Sequence, residues 1–273
     1  MPGGALACVS LCASVLVAVL LLLAFSVPTA ALLAEPKRRP LDVTLCLLHY
    51  ENIELLETNL ANYARLPPRL RERLQVLVVD DGSSCVGGVT RALGRAREHL
   101  RISAWRIGVD IPWNMPEANN LAVRETKTEW ALRCDLDVVF EQRALEDILF
   151  RFAPEAGCLY DFQCVVRHKD AREERTDPHP NVWLFRRTDY FTVGGYDEYF
   201  SGHYGYEDIE FHKRARKKLR RVRAPVACTL LGDRRTPRLD RRTTINAAKL
   251  REVADRRRPI EQFTHHDSYT RLF

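Results

Sequence analysis

Charge is missing from the front of this chain. No Asp, Glu, Lys or Arg occurs between Met1 and Ala34, and Ala5–Phe25 is almost entirely Ala, Leu, Val, Ser and Cys. About 20 apolar residues suffice to span a bilayer, so residues 1–34 read as a membrane-targeting segment, either a signal peptide or an anchor. Thr29-Ala30-Ala31 offers the small residues a signal peptidase reads, which favours cleavage; the uninterrupted apolar length favours retention. Lys37, Arg38 and Arg39 follow the span, and the positive-inside rule would leave the rest of the chain in the cytosol. The acidic chemistry described below favours a lumenal domain instead, at the Golgi or ER membrane, or secreted if the leader is cleaved.

Other scarcities narrow the class further. With 13 Gly and 14 Pro in 273 residues, collagen-like and low-complexity chains are excluded. The cysteines beyond the leader (Cys46, Cys85, Cys134, Cys158, Cys164, Cys228) form no C-x-x-C pair, so zinc-ribbon and thioredoxin-like readings are weak. One or two disulfides are open to them in a lumenal compartment, with pairing that spacing does not reveal. Cys46 and Cys134 lie in apolar runs and read as small buried hydrophobes. Lysine is scarce, 7 of the 42 basic residues, and the resulting Arg skew reads as composition rather than phosphate affinity. A net charge of +6 is mild, and no nucleic-acid partner is expected from it. What remains, 46% hydrophobic and 29% charged, is globular.

After a linker at 35–40, strand and helix signals alternate. Val43–Leu48 and Leu74–Val79 are short apolar runs fit for strands buried on both faces. Ile53–Ala64 has apolar residues at helical spacing and stops before Pro67-Pro68. Val89–Leu100 reads as a basic surface helix, Ile102–Ile107 as a third strand, Pro116–Thr126 as a helix and Trp130–Cys134 as a fourth strand. Repeated strand–helix units predict an α/β fold with a parallel sheet flanked by helices, whose ligands sit beyond the carboxyl ends of the strands. The acidic clusters Asp80-Asp81 and Asp135-Leu136-Asp137 fall at two such ends. Carboxylates two residues apart in extended backbone point the same way, and such a pair can hold a hard divalent cation against a diphosphate. By itself, D-x-D is common in solvated turns, and Asp81-Gly82 is an ordinary turn dipeptide. Position after a buried strand is what gives each cluster meaning.

The order of landmarks resembles that of GT-A-fold inverting glycosyltransferases using nucleotide-diphospho-sugars. The landmarks are Val43–Asn52, Val76–Ser83, Ala118–Ala122 and Asp135-Leu136-Asp137. Asn181–Arg186, Val193–Glu198 and Tyr204–Phe211 resemble the acceptor-side region shared with the C-terminal domain of galactosyltransferases and chondroitin-type polymerases. The resemblance implies one GT-A domain over 41–250, with a nucleotide-sugar half at 41–140, an acceptor half at 141–250 and a basic tail at 251–273. It implies a mixed, mostly parallel sheet, a UDP-sugar donor, a glycan or glycoconjugate acceptor, and Mn2+ or Mg2+. Tyr50, Asp80 and Asp81 would lie at the nucleotide base, Asn120 at the ribose or diphosphate, and Asp135 and Asp137 at ribose and metal-diphosphate. Trp183, Gly194, Gly195 and Tyr204 would meet the acceptor. Asp208 would be the general base, with Glu207 beside it, where a helix N-terminus favours ionised carboxylates.

Two departures qualify that picture. Tyr204 stands where galactosyltransferases carry Trp, and no His follows the strand after the acidic pair, where the sequence runs Cys228–Asp233. Asp233 would be the substitute third metal ligand, with His212, His265 and His266 as weaker candidates; His265-His266 reads as solvated tail. The basic run His212–Arg223 reads as the outer face of a helix with Ile209, Phe211 and Leu219 inside, and Thr244–Val253 as a last helix. A non-catalytic GT-A-like binding protein and a basic, membrane-tethered polyanion binder are the alternatives to an enzyme.

Overall fold

The computed structural model describes residues 39–167, 172–231, 240–254 and 259–273. The uncharged leader, residues 35–38 of the linker and Asp233 lie outside the described residues. Among the described residues no helix is long and apolar enough to cross a membrane. The strands are β1 Val43–His49, β2 Leu74–Asp81, β3 Arg101–Ile107, β4 Trp130–Cys134, β5 Val138–Val139, β6 Cys158–Arg167, β7 Glu173–Thr176, β8 Trp183–Arg186, β9 Arg220–Leu230 and β10 Tyr269–Arg271. The principal helices are α1 Ile53–Ala64, α2 Val86–Ala96, α3 Met115–Glu125, α4 Arg187–Val193, α5 Glu207–Ala215 and α6 Thr244–Glu252.

All ten strands join one mixed sheet in the order β10-β3-β2-β1-β4-β8-β6-β9-β5, with β7 on β6. β3, β2, β1 and β4 are mutually parallel, and β8 then reverses direction against β4. Strict alternation explains how the sheet is covered on both sides. Leu45, Leu47, Val76 and Val78 join one apolar cluster with Leu55, Leu56 and Leu60 of α1. Cys46, Leu77 and Val79 join the other with Ala118, Leu121 and Ala122 of α3. A strand buried on both faces has no polar positions to spend, hence the continuous apolar runs. α1 begins where the Asn52 side chain accepts from Leu55 N at 3.2 Å, an N-cap that fixes the chain direction after β1. Because β1, β2 and β4 are neighbours and parallel, His49, Asp80-Asp81 and Asp135 emerge along one sheet edge.

Three expectations change. The basic run is not one helix face: α5 ends at Ala215 and Arg220, Arg221 and Arg223 belong to β9. Ile209 is 42% exposed, while Phe211 and Leu219 are buried. Arg221 and Arg223 both pair with Asp161, so part of the basic run is neutralised within the sheet. Residues 259–273 are not a free tail either. β10 pairs with β3, and Glu198 accepts from Phe263 N at 2.6 Å and Thr264 N at 2.8 Å. Buried Glu117 accepts from His265 Nδ1 at 2.9 Å and from the Tyr269 hydroxyl at 2.6 Å.

Asn120 and the two glycines also take structural places. Asn120 is fully buried and its amide is saturated: it donates to Tyr196 O at 3.0 Å and Glu198 Oε1 at 2.8 Å. Its Oδ1 accepts from Tyr190 OH at 2.6 Å and Tyr196 N at 2.9 Å. Gly195 has φ +60, and a Cβ there would sit 2.6 Å from Asn120 Oδ1 and 2.2 Å from Gln262 Nε2. The Gly194-Gly195 turn is therefore shaped to close on Asn120, away from any ligand. Asn120→Ala is expected to cost about 3 kcal/mol, because it orphans several buried groups at once. Chemical denaturation measures this, and a loss below 1 kcal/mol, about the cost of an average substitution, would remove Asn120 from the framework.

Candidate active site

The carboxyl ends of the parallel strands open into a cavity of about 640 Å³. Its wall carries Tyr50, Asp81, Asp135, Asp137, Tyr204, Glu207 and Asp208, all singled out from sequence, together with His49, Trp113, Asn114, His179 and Arg241, which were not. Asp80, Asn120, Trp183, Gly194 and Gly195 are off it.

On the first half of the wall, the two adjacent aspartates differ sharply. Asp80 has no exposure and is consumed by partners: His49 Nδ1 at 3.0 Å and Arg106, which forms a short ion pair with it. Burial pushes its carboxyl up, but hydrogen bonds from His49 and Ser83 and the charge of Arg106 prevail and hold it below the usual range. Asp80 thus braces the strand ends behind the cavity instead of facing a ligand. Asp81, 7% exposed, faces the cavity with Oδ1 unpartnered. Burial, and then the nearby Glu117, Asp80 and Asp110, push its carboxyl well above normal, with the Asn114 amide partly opposing. A buried acceptor without a donor is costly unless a ligand supplies one. Gly82, at φ +76, lets the loop after β3 come close: a Cβ there would lie 2.9 Å from Asp110 Cα and Val109 O. That loop also receives the Tyr50 hydroxyl, which donates to Asp110 at 3.1 Å.

Asp135 and Asp137 converge by a different route from the one sequence suggested. Residues 135–137 form a turn after β4, not extended strand, closed by Val138 N donating to Asp135 O at 3.1 Å. Leu231 N donates to Asp137 O at 2.7 Å, and Asn59 Nδ2 to Leu136 O at 2.5 Å, so the turn is held from both sides. Beneath it lies Arg133, 1% exposed, which pairs with Asp135 and donates to Asn181 O at 2.6 Å and Asn119 Oδ1 at 2.9 Å. By gripping Asn181, Arg133 brings the preceding His179 over the turn, with Nδ1 3.5 Å from Asp135 Oδ2. Asp135, Asp137 and His179 each offer a ligand atom, all within 4.8 Å of one another. Asp137 Oδ1 is buried without a partner, and burial followed by repulsion from Asp135 raises its carboxyl. Two carboxylates and an imidazole suit a divalent cation.

Among the described residues, the ligand atom grouped with those of Asp135 and Asp137 is that of His179, which the sequence did not single out. His179 was missed because it lies upstream, before β8, where no landmark pointed; its placing between Pro178 and Pro180, after Asp177, was the signal available. Asp233 lies outside the described residues. His212 is turned away, with Nε2 at 3.0 Å from Pro180 O, and His265 is taken by Glu117. Trp183, 1% exposed, stacks on Tyr196 and Phe211 and donates to Pro180 O at 2.7 Å. It shapes the His179 segment from within the core and offers no face to an acceptor.

The same cavity wall carries Glu207 and Asp208 at the start of α5. Glu207 is 3% exposed; its Oε1 accepts from Trp113 Nε1 at 3.1 Å and its Oε2 has no partner. Burial, then Asp208, raises its carboxyl to about 7. Trp113 has φ +53, a strained conformation for so large a residue, and its indole reaches from the loop after β3 to Glu207 at the start of α5. Its ring meets Tyr204 edge-on at 4.5 Å, and the Arg241 guanidinium lies over both rings, at 5.8 and 5.3 Å. Asn246 of α6 donates to His203 O and Gly205 O at 2.6 and 2.8 Å, fixing the loop that carries Tyr204.

Glu207 makes stability depend on pH in a definite sense. Its folded carboxyl, near 7, lies above the ordinary 4.5, so the protonated form is favoured by folding. Relative to Glu207→Gln, the native chain is equal in stability below 4.5 and loses ground as pH rises through 7. Without added metal, the variant is expected to be more stable by about 3 kcal/mol at pH 8 and unchanged at pH 4. Urea titrations at the two pH values test this; a gap independent of pH would mean the carboxyl is not held protonated.

Residues 162–235, from β6 past Glu207 and Asp208 to the end of β9, match a family model described as the N-terminal domain of galactosyltransferase. No curated protein matches the whole sequence closely enough to count as a relative. Among solved structures, the chain is similar to the mannosyltransferase PcManGT from Pyrobaculum calidifontis, determined with GDP-Man and Mn2+. The TM-score is 0.53 at 21% identity over 74% of this chain and 59% of that one. It is also similar to GalNAc-T7, determined with UDP, GalNAc and Mn2+, with a TM-score of 0.55 at 12% identity over 70% of this chain and 44% of that one. The chain thus spans 59% and 44% of the lengths of these two structures. At such identities the shared property is the fold: the chain has the GT-A fold of glycosyltransferases, and residues 162–235 match the galactosyltransferase model.

Proposed function

We propose that the protein is a glycosyltransferase that moves a sugar from a nucleotide-diphosphate donor, a UDP-sugar in the first instance, to an acceptor hydroxyl of a glycan with inversion. The observation that carries this reading is that Asp135, Asp137 and His179 share one cavity with Glu207 and Asp208. A diphosphate leaving group needs charge neutralised on one side of the sugar, and an attacking hydroxyl needs a base on the other. Mn2+ or Mg2+ fits the donor set, because Asp137 Oδ1 is a buried acceptor awaiting a partner and carboxylates suit both ions. Asp135, Asp137 and His179 would hold it, and when bound it would offset the negative charge of the leaving diphosphate.

This chain's own residues would then divide the work. Asp81 offers its free Oδ1 to an N–H of the base, and Tyr50 lines the same end. Tyr204 and Trp113 form an aromatic wall of the kind sugars stack against, and Arg241 adds a cation held by those rings. Asp208 takes the acceptor proton, and Glu207 receives a hydrogen bond from the acceptor through Oε2. A second assignment has its own support: a carboxyl near 7 with one free oxygen is matched to proton abstraction at neutral pH, which would make Glu207 the base. The uncharged segment Met1–Ala34 supports a place in the secretory pathway, at the Golgi or ER membrane, for this activity.

With UDP-sugars, Mn2+ and a panel of glycan acceptors, Asp208→Asn is expected to reduce turnover by at least about a hundredfold while the affinity for UDP persists. Full turnover in Asp208→Asn, with loss in Glu207→Gln, would move the base to Glu207. In parallel, His179→Ala is expected to weaken Mn2+ binding by about tenfold, the equivalent of one lost ligand contact. Calorimetry reads this directly, and an unchanged affinity would exclude His179 from the ligand set.

A further inference from the structure

Two buried cysteines meet inside the sheet. Cys164 on β6 and Cys228 on β9 are register partners in a parallel pair. Their exposures are 0% and 1%, and their Sγ atoms lie 3.2 Å apart. Neighbouring strands run about 4.8 Å apart, which lies within the Cα separations that disulfides bridge. The sulfurs already converge from the same side of the sheet. An S–S bond is about 2 Å long, so a modest rotation about each Cα–Cβ bond closes the gap without moving either strand. Among the described residues this is the one pair of cysteines with sulfur against sulfur.

We propose that Cys164 and Cys228 are joined by a disulfide when the chain folds in an oxidising compartment. The co-reactant is a low-molecular-weight disulfide such as glutathione disulfide. The Cys164 thiolate attacks one of its sulfurs and expels the first thiol; the Cys228 thiolate then attacks the Cys164 sulfur of the mixed disulfide and expels the second. The protein loses two electrons and two protons, and the small disulfide gains them as two thiols. Burial sets the timing. The bond forms as β6 and β9 come together, and once the sheet is covered it is shielded from reductant.

The position gives the bond a consequence for the cavity. The 64-residue separation between the two cysteines encloses His179, Glu207 and Asp208, so the cross-link would tie down both ends of the segment that supplies them. β9 then runs on to Leu231, whose N–H holds the carbonyl of Asp137 at 2.7 Å. None of this depends on sugar transfer, and the test is independent of activity.

The full chain is refolded in a glutathione redox buffer, denatured without reductant and alkylated with N-ethylmaleimide. It is then reduced, alkylated with iodoacetamide and mapped by mass spectrometry. The expected map has Cys164 and Cys228 carrying the second label, with Cys46, Cys85, Cys134 and Cys158 carrying the first. Refolding in excess reductant, in place of the redox buffer, is expected to lower Tm of the native sequence by roughly 10 °C, as for a loop of this length. It is expected to leave a Cys164→Ser/Cys228→Ser double variant unmoved. Full first-label incorporation at Cys164 and Cys228, or linkage of either to Cys134, overturns the proposal. The map is read on the native chain, so it decides the matter even if the double variant does not fold.

Discussion

A single buried guanidinium organises the cavity. Arg133 lies one residue before the end of β4 with almost no exposure, and a charge so placed is stable only if every donor finds a partner. Its partners are the parts the cavity requires: Asp135 in the turn, Asn181 behind His179, Asn119 on α3 and Met115 at that helix's start. Burial opposes the charge on Arg133, but the Asp135 carboxylate outweighs it and holds the guanidinium above its ordinary range. The acidic turn can therefore hold two carboxylates side by side without a bound cation, because one of them is already compensated from below. Asp137 is not, and its raised carboxyl is the local sign of that asymmetry.

The rest of the framework works by the same economy of buried polar groups, each satisfied by a segment far away in sequence. Glu117 and Glu198 collect the chain around residues 263–269, Asn120 closes the Gly194-Gly195 turn, and Asn246 fixes the Tyr204 loop. These contacts are specific rather than strongly stabilising, since each mainly avoids the penalty of an unpaired group. The apolar clusters on the two faces of the sheet supply the bulk of the cohesion, and the polar clamps decide which loops face the cavity.

Sequence reading succeeded where a local pattern has one physical cause. Continuous apolar runs mark β1, β2 and β4 because strands buried on both faces tolerate nothing else, and α1 was legible over Ile53–Ala64, ahead of Pro67-Pro68. Acidic clusters at strand ends are likewise local, and Asp81, Asp135 and Asp137 all reach the cavity. It failed where the role depends on what lies across the fold. Asn120 and Trp183 occupy landmark positions, yet their side chains are spent on Tyr196, Glu198 and Pro180, contacts that no spacing reveals. Asp80 and Asp81 are indistinguishable as letters and are separated only by Arg106 and His49. His179, Trp113 and Arg241 entered from loops, whose course is set by tertiary hydrogen bonds rather than by periodicity.

The Trp113 indole links the loop after β3 to the start of α5, and this limits how the molecule can be taken apart. A chimera that kept residues 41–140 and borrowed the remainder from another chain would have to reproduce the Trp113–Glu207 hydrogen bond. It would also have to reproduce the grip of Arg133 on Asn181 and that of Asn120 on Tyr196. Each seam ends in a buried polar atom, so a mismatch would leave an unpaired group at the junction rather than a mere gap. The two parts share one cavity but are not interchangeable cassettes; its lining in such a chain would have to drift residue by residue, with both sides of each seam changing together.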